Sequence, residues 1–109
     1  FAEAHDDPDH APSDGPNMIR PAAGGLWMLW SSVTPTGYGI GLAVSENGGI
    51  LGPWNLPDAP LFAQNGGHGM VFHGLDGQDY LAIHAPNDTP NERPIFLPVA
   101  ENGEGLMLL

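Results

Sequence analysis

Cysteine is absent from this 109-residue chain, and so is lysine; two arginines are its only permanent cations. Without cysteine there is neither a disulfide framework nor a thiolate metal site, and the redox compartment stays open. Without lysine, thirteen acidic residues face the two arginines, giving a formal net charge of −11. Nucleic acid and anionic membrane both require a basic face, so neither is an expected partner. The charge reads either as an ordinary soluble acidic surface or as adaptation to high salt, where screening relieves the repulsion. No apolar run approaches the ~18 residues of a membrane helix, and no basic-then-apolar leader is visible. Neither an extracellular nor a cytoplasmic location is favoured. The first residue is Phe1 rather than a methionine, as expected of a processed or excised piece.

The chain is rich in punctuation. Sixteen glycines and twelve prolines fall every few residues, and no window holds an i, i+3, i+4, i+7 apolar face for three turns, so long helices have no room. Short apolar or alternating runs remain: PNMIR (16–20), GLWMLWSS (25–32), YGIGLAVS (38–45), APLF (59–62), GMVFHG (69–74), DYLAIHA (79–85), PIFLPVA (94–100) and GLMLL (105–109). The clusters AAGG, TPTG, ENGG, LDGQ, NDTPNE and ENGEG between them carry hairpin-turn chemistry. The pattern predicts an all-β chain of antiparallel four-stranded meanders, one over 14–62 and one from Gly66 onward. Each meander has the size of one β-propeller blade, about 40–50 residues. A sandwich of two four-stranded sheets is the competing architecture. The opening stretch 1–13, FAEAHDDPDHAPS, is acidic, contains proline and lacks a strand pattern, so it reads as a loop before a folded unit over 14–109.

The stretch GGHGMVFHG (66–74) sets His68 and His73 at either end of an apolar run fenced by glycines. His68 is either a site residue that needs a close backbone approach or the end of a turn. Five residues separate the two histidines, an odd step that places them on opposite faces of one strand and His73 at the hairpin edge. By its composition SDGP (13–16) is a turn. His5 and His10, in the HDDPDH stretch, belong to a solvated segment rather than a metal site. Trp27 and Trp30 are expected in the core, as aromatics within apolar strands usually are.

Taken in order, DGPNMIR, GLWMLWSS, GYGIGLAVSENGGILGPWNLPDAPLF, NGGHGMVFHGLDGQDYLAIHAPN and ERPIFLPV resemble the C-terminal part of the family 43 glycoside hydrolases, the arabinanase and β-xylosidase group. That family carries a Glu-Gly-Pro or Asp-Gly-Pro segment, a strand ending in Trp-Ser-Ser or similar, then Gly-Pro-Trp, Gly-His-Gly, a strand ending in a His-Ala type pair, and a late Arg. The similarity covers nearly all of Ser13 to Val99. It implies a five-bladed β-propeller, of which this chain would supply about two blades. It also implies inverting hydrolysis of O-glycosyl bonds in arabinan- or xylan-type plant polysaccharides. Such hydrolysis takes two carboxyls roughly 6.5–9.5 Å apart, one protonating the leaving oxygen and one activating water.

The resemblance puts the acid at Asp14, where Glu is commoner, and puts the base and a pKa-tuning Asp upstream of Phe1. The chain alone is therefore expected to be inactive. His68 is implied as a ligand, direct or through waters, of a calcium or sodium ion near the propeller axis. His84 either lines the pocket or satisfies a buried backbone group. Arg93 contacts the sugar or a catalytic carboxylate, or else forms a surface ion pair. The implied partners are an oligo- or polysaccharide together with self-association or N-terminal blades outside this sequence. The alternative is a non-catalytic carbohydrate-binding or orphan propeller fragment.

Overall fold

The computed structural model describes residues 12–109. The loop assigned to 1–13, with His5 and His10, lies outside the described residues except for Pro12 and Ser13. The elements in chain order are β1 Asp14–Ile19, β2 Trp27–Thr34, β3 Gly37–Ser45, β4 Trp54–Asn55, β5 Gly67–His73, β6 Asp79–Ala85, β7 Arg93–Asn102 and β8 Gly105–Leu108. Two antiparallel sheets result, ordered β1-β2-β3-β4 and β5-β6-β7-β8. Each strand pairs with its neighbour in sequence and no strand crosses between sheets, which is the wiring of two consecutive propeller blades.

Period-two alternation decides which face is buried. Leu29 pairs with Leu42 and Ser31 with Ile40, so these side chains share the inner face of the first sheet. On the second sheet Leu81 pairs with Leu97 and Ile83 with Ile95. The two inner faces meet in one core of Trp27, Leu29, Ile40, Leu42, Leu81, Ile83 and Val99. Removing this apolar surface from water is the main stabilising term, at about 25 cal/mol per Å². Trp30 departs from expectation: it is half-buried on the opposite face from Trp27 and Leu29, because an odd step along a strand reverses the face.

The fourth strand also departs from the sequence reading. It is Trp54–Asn55, paired with Ser45 and Val44, whereas the APLF run makes only an isolated bridge between Phe62 and Ile40. Pro53, Pro57 and Pro60 lack the N–H that a ladder needs, so this edge is filled in two short pieces. In the second piece Ile40 N–H donates to the Phe62 carbonyl at 2.8 Å and Leu61 N–H donates to the Ile40 carbonyl at 2.8 Å.

Candidate functional site

Antiparallel meanders bring the starts of odd strands and the ends of even strands to one edge. That edge carries Asp14 and Gly15 on β1, Ser31 on β2, Tyr38 on β3, His68 on β5, His84 on β6 and Arg93 on β7. Two β-bulges shape it. Strand β1 holds one extra residue between Asp14 and Asn17 relative to β2, and β5 holds one between Gly67 and Met70 relative to β6. Each contains a left-handed residue, Gly15 at φ 56° and His68 at φ 55°. Positive φ is uncommon outside glycine, and bulges re-aim side chains beside functional sites.

The two bulges touch. A Cβ on Gly15 would lie 2.8 Å from His68 Cδ2, so only glycine lets the imidazole lie on this backbone. On the other side of β5, a Cβ on Gly69 would lie 2.6 Å from both the Ala82 carbonyl and Ile83 Cγ2. Gly67 and Gly69 are buried, while His68, Met70 and Phe72 face outward. The glycines of GGHGM therefore permit close packing on one face while His68 projects from the other. His73 lies at the opposite end of β5, where its Nδ1 is 2.6 Å from Asp79 Oδ1.

Asp14 is held by named partners. The Tyr38 hydroxyl donates to Asp14 Oδ2 at 2.8 Å, and His68 Nδ1 lies 3.5 Å from the same oxygen. The Tyr38 hydrogen bond is the main reason the carboxyl sits below the ordinary aspartate value; partial burial opposes it, and His68 and the Gly15 backbone add to the lowering. Tyr38 itself is pushed up to about 12, chiefly by burial and then by the bond to Asp14. Its ring stacks on His84 with centroids 5.7 Å apart, and His84 Nε2 is 2.8 Å from Asn87 Oδ1. The His68 and His84 rings are 6.5 Å apart.

An open cleft of about 400 Å³ lies against this edge, lined in part by His68, Met70, His84, Glu92, Arg93 and Pro94. Arg93 makes no ion pair with Asp14; its guanidinium donates to the Pro90 carbonyl at 3.2 Å and the Glu92 carbonyl at 2.7 Å. The structure thus brings Asp14, His68 and His84 together, and Arg93 lines the same cleft as the two histidines. Arg20 lies elsewhere, donating to the Gly25 carbonyl at 3.0 Å. Among the described residues no group of three or more His, Asp or Glu side chains is arranged to hold a metal. Calcium takes about six to eight oxygen ligands. One imidazole beside one carboxylate does not form such a cage, so the residues present do not fit a directly bound ion.

Sequence reasoning missed Tyr38 and Ser31. A tyrosine in an alternating strand reads as core and a serine as unremarkable; only the β1–β2–β3 register, which pairs Asp14 with Ser31 and Val33 with Tyr38, shows that they meet Asp14.

The two blades are similar to parts of two solved glycosidases. An endo-arabinase from Bacteroides thetaiotaomicron superposes with a TM-score of 0.79 and 40% identity, over 85% of this chain and 33% of that one. An endo-1,4-β-xylanase from the same organism superposes with a TM-score of 0.74 and 21% identity, over 90% of this chain and 38% of that one; at that identity the likeness is one of fold. The chain has a glycoside-hydrolase-like all-β propeller fold. It spans about a third of the length of the endo-arabinase. No family model matches the chain. A 2-dehydro-3-deoxyphosphooctonate aldolase from Bartonella tribocorum is 80% identical over 20 residues, 18% of this chain and 7% of that protein, which is too short to carry a fold.

Proposed function

We propose that this chain is the C-terminal two-blade portion of an inverting glycoside hydrolase of the family 43 type, acting on arabinan- or xylan-type polysaccharides. The observation that carries the reading is the convergence of Asp14, His68, His84 and Arg93 on one sheet edge beside an open cleft. The 40% identity to an endo-arabinase supports it. Asp14 occupies the acid position, and Arg93 and His84 contact the sugar through hydrogen bonds. No step is assigned to a calcium or sodium ion at His68, since the residues present form no cage.

An acid must hold its proton at working pH, and an inverting enzyme needs a second carboxyl to activate water. Among the described residues no carboxylate acts on Asp14, and its carboxyl is lowered rather than raised. The reading therefore needs carboxylates from other blades, one as base and one close enough to raise Asp14. It follows that the chain alone does not turn over substrate. That same environment of Asp14 favours a second reading, a non-catalytic carbohydrate-binding module in which Asp14 only accepts sugar hydroxyls.

The test is release of a chromogenic arabinofuranoside or xyloside by the chain alone and with complementary propeller blades supplied. Turnover only in the second case, abolished by Asp14→Ala, is expected. Turnover by the chain alone that Asp14→Ala removes would overturn the two-carboxyl requirement. Sugar binding without turnover in either case would establish the second reading.

A further inference from the structure

Tyr38 touches one site residue from each sheet. Its hydroxyl donates to Asp14 Oδ2 at 2.8 Å, and its ring stacks on His84 with centroids 5.7 Å apart and planes within 19° of parallel. One planar group makes both contacts, so the phenol sets the spacing between the carboxyl and the imidazole. Tyr38 is itself held. It is 8% exposed, and a Cβ on Gly67 would lie 3.0 Å from its Cε1, so β5 packs directly against the ring. Its N–H donates to Asn65 Oδ1 at 3.2 Å, and its carbonyl accepts the Gly66 N–H at 2.9 Å.

His84 is fixed from a second direction. Its Nε2 lies 2.8 Å from Asn87 Oδ1, and the Asn87 N–H donates to the Asn65 carbonyl at 2.8 Å. Asn65 has a left-handed φ of 56°, which asparagine adopts more readily than most residues. Its side chain thus anchors Tyr38 and its main chain anchors Asn87, the two residues that hold His84. Asp14 has less support. Its side chain is half-exposed, and His68 Nδ1, at 3.5 Å from Oδ2, is beyond ordinary hydrogen-bond length. A side chain so placed samples several χ1 rotamers unless a partner selects one.

We propose that Tyr38 is the positioning residue of this site: its hydroxyl sets the Asp14 carboxyl and its ring face sets the His84 imidazole. Asp14 lies on β1 of the first sheet and His84 on β6 of the second, so their spacing is right only when the sheets are docked. The proposal takes from the glycosidase reading only that Asp14 and His84 belong to one site. Its test uses no sugar, so either can fail alone.

The experiment is NMR of the 109-residue chain with two variants. Tyr38→Phe keeps the ring and removes the donor, whereas Tyr38→Leu removes both. In Tyr38→Phe the Asp14 χ1 couplings should pass from single-rotamer to rotamer-averaged values. The His84 ring protons should keep the ring-current displacement that stacking gives. In Tyr38→Leu both signatures should be lost, with β8 amide shifts as in wild type. Proton–proton contacts between the rings of residues 38 and 84 should appear in wild type and in Tyr38→Phe. Their absence would overturn the ring's role, whether or not Tyr38→Leu folds. A single Asp14 rotamer that survives Tyr38→Phe would overturn the hydroxyl's role. Shift changes spread evenly over the core in Tyr38→Phe would mean a general loss of packing, and would also overturn the proposal.

Discussion

Gly15 and Tyr38 show how much rests on single atoms. Gly15 combines φ 56° with a Cβ position 2.8 Å from the His68 ring. Gly15→Ala should therefore cost about 1–3 kcal/mol by urea unfolding, from left-handed strain plus the clash. In a His68→Ala background the same substitution should cost only the backbone part, about 1 kcal/mol. Tyr38 allows a signed pH prediction. Its phenol keeps its proton up to about 12 when folded, against 10.0 ordinarily. The folded state thus holds the proton more tightly. Its share of stability is complete below pH 10 and drains away as pH rises from there toward 12. Alkaline unfolding followed by circular dichroism should show wild type losing stability over that window faster than Tyr38→Phe. Between about pH 5 and 10, where neither Tyr38 nor Asp14 titrates, the two profiles should run parallel.

At the scale of elements, the strands that were easy to read are those whose alternation agrees with their ladder. The β6 run DYLAIHA coincides with the strand Asp79–Ala85 because Leu81 and Ile83 face the core at period two and turns bound it on both sides. β4 was not legible: two residues carry no period, and the apolar APLF run nearby signals a strand that proline does not allow to extend. The bulges at Gly15 and His68 were equally hidden, since an extra residue shows only against its partner strand. Burial tests the element assignments directly. Leu81→Ala, at a fully buried inner-face position, should cost ~2–5 kcal/mol. Leu75→Ala, in the exposed β5–β6 turn, should change stability by less than about 0.5 kcal/mol. Chemical denaturation separates the two; equal effects would misplace the core.

For the whole molecule, the outward face of β5–β8 is the notable surface. Met70, Phe72, Phe96 and Met107 are exposed on it, and Phe72 and Phe96 meet edge-on with ring centroids 5.9 Å apart. In a chain of net charge −11, the outward positions of these strands, from Met70 and Phe72 through Tyr80, Ala82 and Phe96 to Met107, carry no acidic side chain. We propose that a second copy of this chain covers that face. From strand spacing and rise the face offers roughly 400 Å² per copy, against about 800 Å² per partner in a standard interface, so the association is weak. Sedimentation equilibrium should show the average mass rising with concentration, and Phe96→Glu should abolish the rise. A compact monomer at all concentrations that also fails to bind a hydrophobic dye would refute this surface.

What the sequence by itself determined was the all-β class and the division into two four-stranded meanders, because glycine, proline and period-two alternation are local signals. Placing Asp14 beside His68 was beyond it. Those residues are far apart in the chain, and their meeting depends on two bulges, on Gly15 having no side chain, and on the face-to-face packing of Leu29 and Ile40 against Leu81 and Ile83. The partners of Asp14 were likewise decided only by tertiary structure. Tyr38 and Ser31 reach it through strand register, and register is a relation between strands that no single run of residues contains.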